Sequence, residues 1–193
     1  MKPHWLWLGG WCTIASMSQL FFSTVPSPCG DMWTARTSKG LTHVLLSRKA
    51  GRPVKPPILQ LLDWRDRFAA NLKLTEDPDR FDDLRTWLNA YFAGDVPKQK
   101  ISLDLRGTSF QVSVWKIIAT IPYGREMTYG EISRQIGRST GSARAVGAAV
   151  GANPISIVVP CHRVLGERGK LTGYGGGLRM KEALLRLEGN LLL

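Results

Sequence analysis

The chain has 193 residues, enough for one or two small domains, and its hydrophobic fraction of 44% excludes wholesale disorder. A formal net charge of +11 and a pI of about 10.0 favour a polyanionic partner, nucleic acid ahead of a membrane surface. Three widely spaced cysteines, Cys12, Cys29 and Cys161, exclude a disulfide framework and a CxxC zinc site, and fit a reduced, cytoplasmic compartment.

The first twelve residues, Met1 to Cys12, are apolar and tryptophan-rich. The segment is too short to span a membrane, and only Lys2 supplies the charge that a signal peptide needs. Residues 1–19 therefore read as an extension or a misassigned start, with Met17 a candidate first residue. Leu20–Val25, Met32–Thr37 and Leu41–Leu46 alternate or run apolar between Pro/Gly/Ser-rich turns, which predicts an antiparallel meander. Arg48–Pro57 is basic and proline-bearing, hence a loop. Apolar spacing predicts helices over Ile58–Arg65 and Phe81–Phe92, the second stopped at Gly94. Ile101–Leu105 alternates like a last strand. Residues 20–106 thus form a small N-terminal α/β domain with an antiparallel sheet.

Residues 107–193 read as a mostly helical second domain, making the whole chain α+β. Phe110–Ile121 is amphipathic and ends at Pro122-Tyr123-Gly124. Thr128 caps a helix over Tyr129–Ile136, with Glu131 placed for a capping box. Gly137 closes that helix, and Gly141-Ser142 opens another over Ala143–Val150. Two short helices around a glycine-bearing turn fit a helix-turn-helix, and equally an ordinary helical hairpin. Arg144 is the one long basic side chain on the second helix.

The densest chemistry is Pro160-Cys161-His162-Arg163-Val164. A thiol beside an imidazole and a guanidinium group can ionise, and the thiolate is the nucleophile. Alone, a buried cysteine is more often an inert core residue. The order of motifs changes that balance. Phe110-Gln111-Val112 with Val114-Trp115 is followed by Thr128-Tyr129-Gly130-Glu131-Ile132 and Ala143-Arg144-Ala145-Val146-Gly147. Then come Asn153-Pro154, the Cys161 pentapeptide, Gly173-Tyr174-Gly175-Gly176-Gly177-Leu178 and Leu187-Glu188-Gly189. Over roughly Phe110 to Gly189 the set resembles O6-alkylguanine-DNA alkyltransferases, extending weakly to Ser27-Pro28-Cys29-Gly30 and Lys39-Gly40-Leu41.

The resemblance implies a monomer that binds duplex DNA, flips out an O6-alkylguanine and moves the alkyl group irreversibly onto Cys161, once per molecule, with O4-alkylthymine a further candidate substrate. It implies that His162 removes the thiol proton through a water, that Glu188 orients His162, and that Asn153 holds the adjoining turn. Tyr129, Tyr174, Gly175, Gly176 and the carbonyl of Val164 would surround the base. Gly176 is expected to leave room for groups larger than methyl. Arg144 would fill the gap left by the flipped base, with Ala143, Gly147 and Arg163 also at the DNA. No cofactor or metal is implied: where some relatives carry zinc, this chain has Ser38 and Thr42, and Cys12, Cys29, His4 and His43 match no ligand spacing. Other readings are a non-catalytic lesion binder, which would lack the acceptor cysteine, a cysteine hydrolase, and a transcriptional regulator using the two helices alone.

Overall fold

A computed structural model describes residues 19–46 and 56–189. The tryptophan-rich start, His4, Cys12, Met17 and most of the basic loop after Arg48 lie outside the described residues. The chain begins with β1 (Gln19–Val25), β2 (Met32–Thr37) and β3 (Gly40–Leu46), antiparallel neighbours as expected. A bulge between Ala35 and Arg36 interrupts the second ladder.

The sheet has a fourth strand that the sequence pattern did not reveal. Helix α1 (Pro57–Phe68) carries the chain across one face to β4 (Lys73–Glu76), which lies parallel to β1 and gives the order β3-β2-β1-β4. The sheet is therefore mixed rather than purely antiparallel. Lys73-Leu74-Thr75-Glu76 is short and polar at every position but Leu74, as an edge strand should be, and so gives no apolar run. Ile101–Leu105, expected as the last strand, instead crosses the end of β3 through a single bridge, Leu41 to Leu103. Leu41 N donates to Ser102 O at 2.8 Å and Asp104 N to Leu41 O at 2.7 Å. A Cβ on Gly40 would overlap the Ser102 backbone, so this crossing requires glycine.

Helix α2 (Asp82–Phe92) follows, then α3 (Ser109–Ile118), α4 (Tyr129–Gln135), α5 (Ala143–Gly151) and α6 (Leu178–Leu187). The two-residue strands β5 (Met127–Thr128) and β6 (Val164–Leu165) pair in parallel. The expected capping box opens α4: Thr128 Oγ1 accepts from Glu131 N at 3.2 Å, and Glu131 Oε2 accepts from Thr128 N at 2.6 Å. A second box, Thr108 with Gln111, opens α3.

Two cores form. Leu20, Ala35, Leu61, Trp64, Ala69 and Leu72 fill the space between the sheet and α1. His43 belongs beside that layer: it is buried, its ring 4.9 Å edge-on from Trp64, and burial lowers its pKa to about 3. It is a core histidine, not a ligand in waiting. The larger core is continuous from the other sheet face through α2 into α3, α5 and α6, joining Val44, Leu88 and Tyr91 to Val114, Val146, Ile155 and Leu184. The sheet-bearing part and the helical part thus share one interior, and that shared interior holds the site.

Candidate active site

Cys161 begins a single tight turn, Cys161–Arg163, that leads into β6. The segment before it is fixed twice. Val44 N donates to Pro154 O at 2.9 Å and Ser156 N to Val44 O at 3.0 Å, so β3 clamps it from the sheet. Asn153 clamps it from within: its Oδ1 accepts from Ile155 N at 3.0 Å and its Nδ2 donates to Val159 O at 2.9 Å. Ile157, between these ties, is held at φ 69, a left-handed conformation that a β-branched residue rarely adopts.

The thiol is 8% exposed at the edge of a cavity of about 40 Å³, lined also by Leu46, Val150, Ser156, Tyr174 and Gly175. That is room for about three water-sized groups. Burial raises the Cys161 pKa, opposed by the Asn153 side chain, the Lys181 charge and the N–H groups of Cys161 and His162. The resting side chain is therefore a thiol. The flanking cations do not hold it ionised, contrary to what Cys161-His162-Arg163 suggests when read as a string.

Arg163 explains why. It was expected at the DNA, but it is buried at 7% exposure and turned inward. Its Nε donates to Glu188 Oε2 at 2.8 Å, its Nη2 to Glu188 Oε1 at 3.0 Å, and its Nη1 to Ile121 O at 2.6 Å. The planar guanidinium fork matches a carboxylate bidentately, and here that carboxylate lies inside the protein. Glu188 also accepts from Tyr91 OH at 2.7 Å and from Gly124 N at 3.2 Å. Burial opposes its ionisation, but bonds from His162, Arg163 and Tyr91 outweigh that and hold its pKa down to about 2.

His162 is fully buried, with Nε2 2.7 Å from Glu188 Oε1. An ionised carboxylate only accepts, so Nε2 carries the proton. Among the described residues Nδ1 has no hydrogen-bond partner, which leaves its lone pair free. Burial lowers the His162 pKa, and Arg163 and Lys181 add to that against the pull of Glu188. The ring is thus a neutral base.

Lys181 is a buried cation whose role the helix pattern around it does not indicate. Its Nζ donates to Val164 O at 2.5 Å and to Thr172 O at 2.8 Å, tying β6 to the glycine-rich loop. Burial lowers its pKa to about 8. The Val164 carbonyl, expected to meet a base, keeps one lone pair for that task. Tyr174 lies edge-on to His162, ring centroids 6.5 Å apart, and its hydroxyl is buried with no partner among the described residues.

Tyr129 does not line the Cys161 cavity: it sits in the first turn of α4, beside a separate groove with Arg134, Gly141 and Ala143, its hydroxyl 3.4 Å from Thr172 Oγ1. Gly147 lies against the Tyr129 ring, where a Cβ would come 3.7 Å from Cε1, so it packs the helix pair. Arg144 is exposed on the outer face of α5, bordered by Gly141, Ser142, Ala145 and Ala148, with Ala143 half-buried beside it.

The sequence profile described as 6-O-methylguanine DNA methyltransferase, ribonuclease-like domain, matches residues 20–105, and its companion, the DNA binding domain, matches residues 109–190. The chain belongs to the 6-O-methylguanine DNA methyltransferase family. The protein of Mycobacterium tuberculosis strain H37Rv named methylated-DNA--protein-cysteine methyltransferase is 46% identical over 169 residues, 88% of this chain and 92% of its own length. The inducible one of Bacillus subtilis is 39% identical over 170 residues, covering 88% and 90%. The crystal structure of M. tuberculosis OGT in complex with DNA superposes with a TM-score of 0.71 at 45% identity, covering 87% of this chain and 92% of that one.

Within this methyltransferase family member, Gly176 departs from its expected role. A Cβ there would meet Met180 Sδ, Tyr174 Cε1 at 2.9 Å and Leu46 Cδ1 at 3.0 Å. The glycine does not face open pocket space; it lets the loop close over Leu46. Gly176→Trp is therefore expected to displace Tyr174 and slow reaction with O6-methylguanine as well as with O6-benzylguanine. Single-turnover rates with both substrates check this; a loss confined to the benzyl substrate would restore the pocket-wall reading.

Proposed function

We propose that this protein repairs DNA by direct, irreversible transfer of the alkyl group of O6-alkylguanine to Cys161, once per molecule. One observation carries the reading: a buried thiol at a small cavity beside a neutral imidazole whose Nε2–H is held by an ionised carboxylate. This is the nucleophile, base and orienter arrangement, with Cys161, His162 and Glu188 in those roles. Sγ attacks the alkyl carbon, the bond from that carbon to O6 breaks, and the thiol proton passes through a bridging water to His162 Nδ1. Glu188 then faces an imidazolium. The departing guanine carries the electron pair, met by the Tyr129 hydroxyl at its N3 edge and the Gly175 N–H at O6. Asn153 keeps the Cys161 turn in place.

A resting thiol, ionised only during the attack, suits a protein that reacts once. It limits side reactions with oxidants and free alkylating agents, which attack thiolates. It also fits a reduced, cytoplasmic compartment. A cavity of about 40 Å³ beside Tyr174 accommodates a small alkyl group, and in this reading Tyr129 reaches the base from α4. O4-alkylthymine is a second candidate substrate.

Helices α4 and α5 act in this reading as a helix-turn-helix on duplex DNA, the protein working as a monomer. Arg144 stands where it can enter the base stack, and Ala143, Ala145 and Ala148 leave the face low enough to approach a groove. Flipping costs a few kcal/mol, least at an already weakened pair. The remaining contacts are to phosphates and fall off with salt.

The test is duplex DNA carrying radiolabelled O6-methylguanine, incubated in molar excess over the protein. Up to one methyl group per protein molecule is expected, recovered by peptide mapping on Cys161. Intact, DNA-binding protein that takes up no label would overturn the reading.

A further inference from the structure

The relay has a member that comes from the other half of the chain. Tyr91 lies on α2, in the part of the protein that carries the sheet, and is 0% exposed. Its hydroxyl donates to Glu188 Oε1 at 2.7 Å and stands 3.3 Å from His162 Nε2. Because the hydroxyl proton is committed to Glu188, its oxygen can only accept from Nε2–H. The ring itself is fixed by stacking on Trp87, centroids 5.5 Å apart, and by edge contacts with Phe92 and Tyr123. Burial, the Glu188 charge and the bond to Glu188 all raise the Tyr91 pKa, so it stays a neutral donor.

We propose that Tyr91 is a positioning residue for the transfer reaction: its hydroxyl draws on Glu188 Oε1 and accepts from His162 Nε2, holding His162 as the neutral base with its proton on Nε2. The proposal rests on the reading of Cys161 as alkyl acceptor and His162 as its base. His162 is surrounded by charged or titratable groups on every side. Glu188 and Lys181 face it from α6 and its C-terminal end, Arg163 and Cys161 from its own turn, Tyr174 from the glycine-rich loop, and Tyr91 from α2. Of these, Glu188 is the anion that favours imidazolium. Each donor that Glu188 accepts weakens its grip on the His162 proton; Arg163 Nη2 and Tyr91 both share Oε1 with His162, and among the described residues Tyr91 is the one of these whose hydroxyl also stands beside Nε2. Without the hydroxyl, the carboxylate would hold the imidazolium more tightly, and the ring would lose one of the two acceptors that fix its plane.

Tyr91→Phe keeps the ring and removes only the oxygen. We expect transfer of the methyl group at neutral pH to slow on the order of tenfold. The inflection on the acid side of the pH–rate profile should move upward, so that the loss is larger at pH 6 than at pH 8. A 15N NMR titration of His162 should show the same upward displacement of its midpoint, and that readout needs no transfer. Tyr123→Phe is the control. Its hydroxyl donates to Leu187 O at 3.0 Å and Gly94 O at 3.3 Å, outside the relay, so its profile should match wild type. A merely structural Tyr91 would lower the melting temperature of Tyr91→Phe and leave the rate inflection and the His162 midpoint unmoved, and that result overturns the proposal. Failure of wild type to take up label would bring down the alkyl-acceptor reading instead, while the His162 midpoints of wild type and Tyr91→Phe would still decide the role of the hydroxyl.

Discussion

Arg163→Ala is expected to cost about 3–5 kcal/mol of folding stability and to leave the salt dependence of DNA binding unchanged. The side chain is 9% exposed and gives two hydrogen bonds to Glu188 and one to the carbonyl of Ile121. Truncation strands a carboxylate that is itself fully buried, and removing one partner of a buried pair costs far more than the pair contributes against apolar replacements. Against a typical total of about 5–15 kcal/mol, that is a large share. In a chain of this length each kcal/mol corresponds to roughly 2–4 °C of melting temperature. Thermal unfolding of wild type, Arg163→Ala and Arg163→Lys measures it; lysine keeps the charge but not the fork, so an intermediate loss is expected. The opposite outcome is equally concrete. If Arg163→Ala melted like wild type and its log-affinity against log-salt slope fell by about 0.9, the residue would be a phosphate contact after all.

Arg163 also shows where sequence and structure part. A basic residue beside a candidate nucleophile in a strongly basic chain reads naturally as a DNA contact, because charge says nothing about direction. Its partner Glu188 lies 25 residues further on, and only the three-dimensional turn of Cys161–Arg163 aims one at the other. Cys161 and His162 were legible because they are adjacent in the chain, and Thr128 with Glu131 because a capping box is written locally. Glu188 and Asn153 were legible only through resemblance. Tyr91, 71 residues from His162, sits at helical spacing among Leu84, Leu88 and Phe92, so it reads as core, which it also is. Lys181 sits in an amphipathic helix where lysine is ordinarily solvated; nothing local says that two carbonyls, Val164 and Thr172, will close over it. In the fold, the three hairpin strands carried turn residues and alternation, whereas β4 is recognisable only once α1 has delivered it alongside β1. The pattern is consistent: local chemistry was readable, and what failed was the direction in which a side chain points.

Cys161→Ala is expected to abolish transfer altogether while leaving DNA affinity within about twofold of wild type, since Arg144 and the exposed face of α5 are built on other residues. The substitution removes one sulfur from a site already bordered by a cavity, so its cost in stability should stay near about 1 kcal/mol. Two cysteines, Cys12 and Cys29, remain in the variant. Cys29 is exposed in the turn between β1 and β2, and partial burial raises its pKa. Nothing at that turn lowers its pKa toward the thiolate, and no imidazole is bonded to it among the described residues. The comparison thus tests whether reactivity follows from accessibility or from the relay. If accessibility decided, Cys29 would take the methyl group in both proteins, and Cys161→Ala would keep a measurable rate. If the relay decides, an almost hidden thiol captures the label and an open one does not. Peptide mapping of labelled wild type and Cys161→Ala separates the two, and label on Cys29 in either protein would show that burial beside His162 is not what makes Cys161 the acceptor.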